Sequence, residues 1–161
     1  MVEVLNVGRR FTLFVALGAF SEMFMLIFGS KLVQKGKTSP WFMIVLSTAG
    51  LFLRLLLFRF SKNLGIFALA QVCHMFTFGA LHVGITAFMT ENVEPQHYTL
   101  AMSFYWSVAS FFPLSIGSFF GGFIIDAFGY DTLFTTYMVF PLIALFMLFI
   151  FKNFLTGKKK E

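Results

Sequence analysis

The sequence predicts an all-α fold, a polytopic membrane bundle of about five transmembrane helices. Two compositional facts lead there: 58% of the residues are hydrophobic and only 12% are charged. An ordinary soluble domain carries roughly a quarter charged residues, so polar surface is too scarce here to clothe a water-solvated globule. The third observation is placement, because the charges cluster at the ends of apolar stretches long enough to cross a bilayer core, which takes about 20 residues. Apolar character continues along the whole sequence, unlike a signal peptide, where it gives way to polar mature sequence.

The first expected span covers residues 11–30 and is interrupted only by Glu22. Arg9 and Arg10 precede it, and Lys31, Lys35 and Lys37 come after it, with Gly36 and Pro40 marking a turn. The second, residues 40–58, starts on a proline suited to a first helical turn and encloses Arg54. Arg59, Ser61, Lys62 and Asn63 form a short loop before the third span, residues 64–90, which ends at the polar stretch from Glu91 to His97. The fourth, residues 100–125, leads into a loop from Asp126 to Asp131 that contains Gly129. The fifth, residues 132–151, runs into Lys152 and the terminal Lys158, Lys159 and Lys160. Together residues 1–161 read as a single transmembrane domain.

Lys and Arg are retained on the cytoplasmic side of short loops. One side would hold Lys31, Lys35, Lys37, Lys152, Lys158, Lys159 and Lys160, the other only Arg9, Arg10, Arg59 and Lys62. The expectation is therefore a cytoplasmic C-terminus and an external N-terminus. The net charge of +5 does not indicate nucleic acid, since the basic residues flank apolar runs instead of forming a stripe. An odd number of spans also reads as an incomplete transporter half, because symmetric halves carry an even number.

Some features concern packing. Gly117 and Gly121 form a GxxxG pair with Gly122 adjacent, a face flat enough for another helix to approach closely. Pro113 and Pro141 each remove a backbone donor inside a span and should bend it. The 26 phenylalanines are too numerous and scattered to form one aromatic site, and Cys73, the single cysteine, reads as a small buried residue.

Ionisable groups deep in apolar spans cost a few kcal/mol each, so those present carry the chemical information. They are Glu22, Arg54, His74 and His82. A carboxylate in a bundle beside an arginine is the kind of group that binds and releases protons, and histidine hydrogen-bonds polar or anionic solutes. Gln71 lies one turn before His74 on the same side, and His82 lies two turns beyond it, so both histidines are expected to border one cavity. The alternative for Glu22 and Arg54 is an ion pair joining two helices, and for each histidine an interhelical hydrogen bond. Two histidines eight apart do not make a zinc site, so no metal is expected. Asp126 reads as a boundary residue at a helix end. No GxSxG, P-loop or HExxH arrangement is present, which leaves enzyme chemistry without a nucleophile and implies no cofactor.

Three passages resemble a known family. The run VALGAFSEMFMLIFGSKLVQKGKTSP, the GLFLR of Gly50 to Arg54, and VCHMFTFGALHVGITAFMT are similar to helices eight to ten of the phenylpropionate permease and nucleoside symporter branch of the major facilitator superfamily, a branch related to lactose permease. In that family an acidic residue, an arginine and a histidine pair recur in this order, and Glu22, Arg54, His74 and His82 fall on them. Where lactose permease has a proton-coupling glutamate three residues after the histidine, this chain has Thr77. The fourth and fifth spans resemble helices eleven and twelve, so the likeness covers about residues 12–152. The resemblance implies proton-coupled symport of a small organic solute, an aromatic acid or a nucleoside, across the inner membrane. It also implies that the first seven helices of a twelve-helix transporter are supplied by missing sequence or by another chain. A non-transporting membrane scaffold is the alternative.

Overall fold

The structure is a computed structural model and describes residues 11–155; among these every regular element is helical. Helix α1 spans Phe11–Gln34 and ends where Gly36, at φ 66°, turns the chain. Helix α2, Pro40–Arg59, begins as its sequence requires: the Ser39 side chain accepts the Phe42 N–H at 3.2 Å, and Pro40 occupies the first turn, where no partner for an N–H is lost. Asn63 does the same for α3, Leu64–Val72, accepting the Ile66 N–H at 2.9 Å. A π-helical segment, Met75–Gly79, joins α3 to α4, Ala80–Asn92, so that residues 64–92 form one long rod. A 3-10 turn at Pro95–His97 leads to α5, Tyr98–Trp106. A second π segment, Ser107–Phe111, precedes α6, Phe112–Tyr137, and α7, Val139–Ile150, with a short α8 at Lys152–Leu155.

Four continuous helical runs are long and apolar enough to cross a membrane, where the sequence suggested five separate spans. The difference lies in the fourth run, Pro95–Ile150, whose 56 residues carry both of the last two expected spans. Drawn out straight it would reach about 84 Å, against about 30 Å for the bilayer core. It folds back instead. Gly129 adopts φ 80°, ψ 173° inside α6, so a single residue reverses the chain where a loop was expected from Asp126 to Asp131. The reversal is visible across it: the Tyr137 hydroxyl donates to the Gly117 carbonyl at 2.5 Å, although twenty residues separate them.

The core sits among the first three runs. Met25, Met43, Ala80 and Val83 form its buried cluster, with Leu26, Leu46, Met75 and Phe76 packed against it. Glycines let the backbones close up there, because a Cβ on Gly50 would lie 2.7 Å from the Phe76 Cβ and one on Gly84 2.9 Å from Ile44. The last run is far more exposed, with Gly121 and Pro141 the buried residues of its α-helices. Two clasps hold it to α2. Arg59 pairs with Asp131 at 3.1 Å just past the reversal, and at the opposite end Trp41 meets Phe149 edge-on with the Lys152 ammonium 4.7 Å over its ring.

Candidate functional site

Three of the four ionisable residues singled out in the sequence meet at one place. Glu22 comes from α1, Arg54 from α2, and His74 from the junction between α3 and the π segment. Arg54 Nη1 lies 2.8 Å from His74 Nδ1, and His74 Nε2 lies 3.4 Å from a Glu22 oxygen. The order of these contacts fixes the state of the ring. A guanidinium has five donors and no acceptor, so His74 Nδ1 must be the accepting nitrogen, and its proton therefore sits on Nε2, aimed at Glu22. The result is a chain of one cation, one neutral imidazole and one carboxylate reaching across three helices. Among the described residues Glu22 and Arg54 form no direct ion pair within 4.0 Å; the imidazole stands between them.

The supporting groups hold this arrangement. Gln71, one turn ahead of His74, accepts Arg54 Nη2 at 3.3 Å, and Phe58, one turn beyond Arg54, offers its ring face 5.3 Å from the guanidinium carbon. Gly18 on α1 makes room for Gln71, since a Cβ there would sit 3.3 Å from the amide oxygen. Thr77 donates to the His74 carbonyl at 2.9 Å and lies 3.3 Å from Nδ1. That carbonyl is at the edge of the π segment, where helical hydrogen bonding changes register and leaves backbone acceptors to be satisfied locally. Arg54 Nε is buried without a partner among the described residues.

His82 stands apart. Its ring lies 5.4 Å from that of Trp106, tilted by 37°, and it lines a cleft of about 550 Å³ between α1 and α4, so the two histidines do not share the three-helix junction. The glycine face is only partly used. Gly121 packs on Tyr137, whose hydroxyl would lie 2.9 Å from an added Cβ, whereas Gly117 and Gly122 have nothing within 4 Å of theirs. The sequence pattern did not single out Phe58, Trp106 or the glycines of the first three runs. Gly50 did carry a signal, sitting one turn before an intramembrane arginine, where close helix approach would be needed.

The Major Facilitator Superfamily profile matches residues 3–160, nearly the entire chain. The chain belongs to the major facilitator superfamily. Members of that superfamily carry small solutes across membranes, which agrees with the apolar helical runs in making this a multi-pass membrane protein of a transporter family. No curated protein and no solved structure gives a significant match.

Proposed function

We propose that this superfamily member works in proton-coupled symport of a small organic solute across the inner membrane, as the C-terminal part of a transporter. The observation that carries the reading is the Glu22–His74–Arg54 chain. An intramembrane carboxylate 3.4 Å from a neutral imidazole is placed to accept a proton, and the guanidinium beyond it keeps the cluster neutral while the carboxylate is charged. Protonation of Glu22 leaves one uncompensated positive charge at the junction, which favours an anionic solute nearby. That charge balance supports the aromatic acid suggested by the resemblance over the nucleoside. The lysine-rich ends of the runs support a cytoplasmic C-terminus, and partner helices from the rest of the transporter complete the solute pathway.

The test uses cells carrying the gene in its native context. Addition of an aromatic carboxylate such as phenylpropionate to a weakly buffered suspension should transiently alkalinise the medium as protons enter with the solute. A protonophore or Glu22→Gln should abolish that signal. Uptake that survives both would overturn proton coupling through Glu22.

A further inference from the structure

Helix α1 carries two unlike grooves. One, about 490 Å³, is walled by Leu17, Phe20, Phe24, Phe28 and Leu32 and is apolar. The other is the α1–α4 cleft of about 550 Å³, and its walls are ordered by polarity. On α1, Glu22, Leu26, Ser30 and Gln34 recur every four residues and so share one face; the last three line the cleft. On α4, His82, Thr86 and Thr90 recur in the same way and line it from the other side. The two helices run parallel, because a Cβ on Gly79 would meet Met25 at 2.8 Å and one on Gly29 would meet Val83 at 3.6 Å. Ser30 is thus within a turn of the level of Thr86, and Gln34 of Thr90.

Of these facing rows the Thr90 hydroxyl donates to the Thr86 carbonyl at 2.8 Å, and the other side chains need something to bond. Thr86 Oγ1 makes the need explicit: it is buried with no hydrogen-bond partner among the described residues, and Thr86 lines the cleft. Buried hydroxyls are ordinarily satisfied by protein or by ordered water, and a cleft of this volume with several polar partners is roomy enough for water. The mouth lies at Gln34 and Glu91, the end of the bundle that bears Lys31, Lys35 and Lys37. At the inner end the last lining residue on this face of α1 is Leu26, which packs on the core one turn, about 6 Å, from Glu22.

We propose that the α1–α4 cleft is a water-filled half-channel that drains protons from Glu22 to the lysine-rich end of the bundle, closed at its inner end by Leu26. This rests on the reading of Glu22 as the proton carrier. Each transfer moves one proton from the Glu22 carboxyl to a water in the cleft, which becomes hydronium and leaves the carboxylate facing His74 Nε2. Ser30 and Thr86 hold the water, and His82 marks the level at which Leu26 interrupts it.

Cysteine accessibility tests the cleft without requiring transport. Cys73 is the single native cysteine and is replaced by alanine. Single cysteines are then placed at Ser30, Thr86 and, as an exposed apolar control, Ile27. A membrane-impermeant, positively charged methanethiosulfonate reacts with thiolates, which form in water and not in lipid. Ser30→Cys and Thr86→Cys should react at least about tenfold faster than Ile27→Cys, and only from the side bearing Lys35 and Lys37. Glu22→Cys should become reactive from that side only when Leu26→Ala is added. Rates at Ser30 and Thr86 no faster than at Ile27 would overturn the half-channel. Hydroxyl-radical footprinting of the unsubstituted chain guards against misfolded variants: His82 should be oxidised well ahead of Phe24, and equal protection would also overturn it. Slow labelling alongside Glu22-dependent uptake would remove the half-channel alone. Fast labelling with uptake indifferent to Glu22→Gln would remove Glu22 as the proton carrier, and with it the source proposed for the cleft's protons.

Discussion

Gly50→Ala should loosen both the core and the three-helix junction. The new methyl would lie 2.7 Å from the Phe76 Cβ, 3.2 Å from the Phe76 carbonyl carbon and 3.4 Å from its oxygen. Carbon pairs are comfortable at about 3.5–4.0 Å, so α2 must retreat by about 1 Å. Much of the obstruction is Phe76 backbone, which cannot swing aside as a flexible side chain would. Overpacking of this kind costs about 1–3 kcal/mol, offset by about 1 kcal/mol of improved helix propensity on losing a glycine, for a net loss of about 0–2 kcal/mol. Arg54 lies one turn from Gly50 on the same face, and His74 lies two residues before Phe76. The retreat therefore stretches the 2.8 Å Arg54–His74 bond as well. Gly122→Ala is the control, because nothing lies within 4 Å of a Cβ there and only the propensity gain remains. Unfolding by sodium dodecyl sulfate in mixed micelles reads both. If Gly50→Ala unfolds no earlier than Gly122→Ala, the close crossing of α2 with the π segment is wrong.

Arg54→Met should cost about 1–3 kcal/mol, since it removes the donor that His74 Nδ1 and Gln71 Oε1 share and leaves the Glu22 charge uncompensated; the same unfolding assay should show part of that loss recovered in Arg54→Met/Glu22→Gln, where no uncompensated charge remains. Arg59→Gln should cost under about 1 kcal/mol, because Asp131 is 73% exposed and water shields the pair; the small difference from the parent should fade as salt is raised. Tyr137→Phe removes the bond that closes the fold-back on Gly117, and should lower stability by about 1 kcal/mol in mixed micelles.

Helix boundaries and the identity of the buried ionic groups were legible because each leaves a local mark. Pro40, read as a first-turn proline, opens α2 in the structure, and Glu22, Arg54 and His74 stand out as costly residues in apolar text. The fold-back was not legible as built. Gly129 was visible, but whether one glycine or a six-residue loop reverses the chain depends on φ, which the surrounding Asp126 and Asp131 do not dictate. Nor was the parting of the histidines. Eight residues put His74 and His82 about 12 Å apart along the rod, so a shared face does not bring them to one level, and His82 stands instead beside Trp106 and the α1–α4 cleft.

The lengths of the two contacts to His74 also decide which substitution separates a proton carrier from a structural strut. The Arg54 side is short, 2.8 Å, and ties α2 to the rod of residues 64–92; the Glu22 side is long, 3.4 Å, and is the only one of the two that reaches α1. Glu22→Gln keeps an oxygen facing His74 Nε2, so the contact to α1 survives while the proton-binding carboxylate is gone. Glu22→Leu removes both. If the chain of contacts served only to hold helices together, Gln would behave as the parent and Leu would fail in assembly and transport alike. A proton carrier gives the opposite pattern for Gln: normal membrane levels, with the solute-driven alkalinisation lost. Glutamine at position 22 therefore discriminates where the more disruptive replacement cannot.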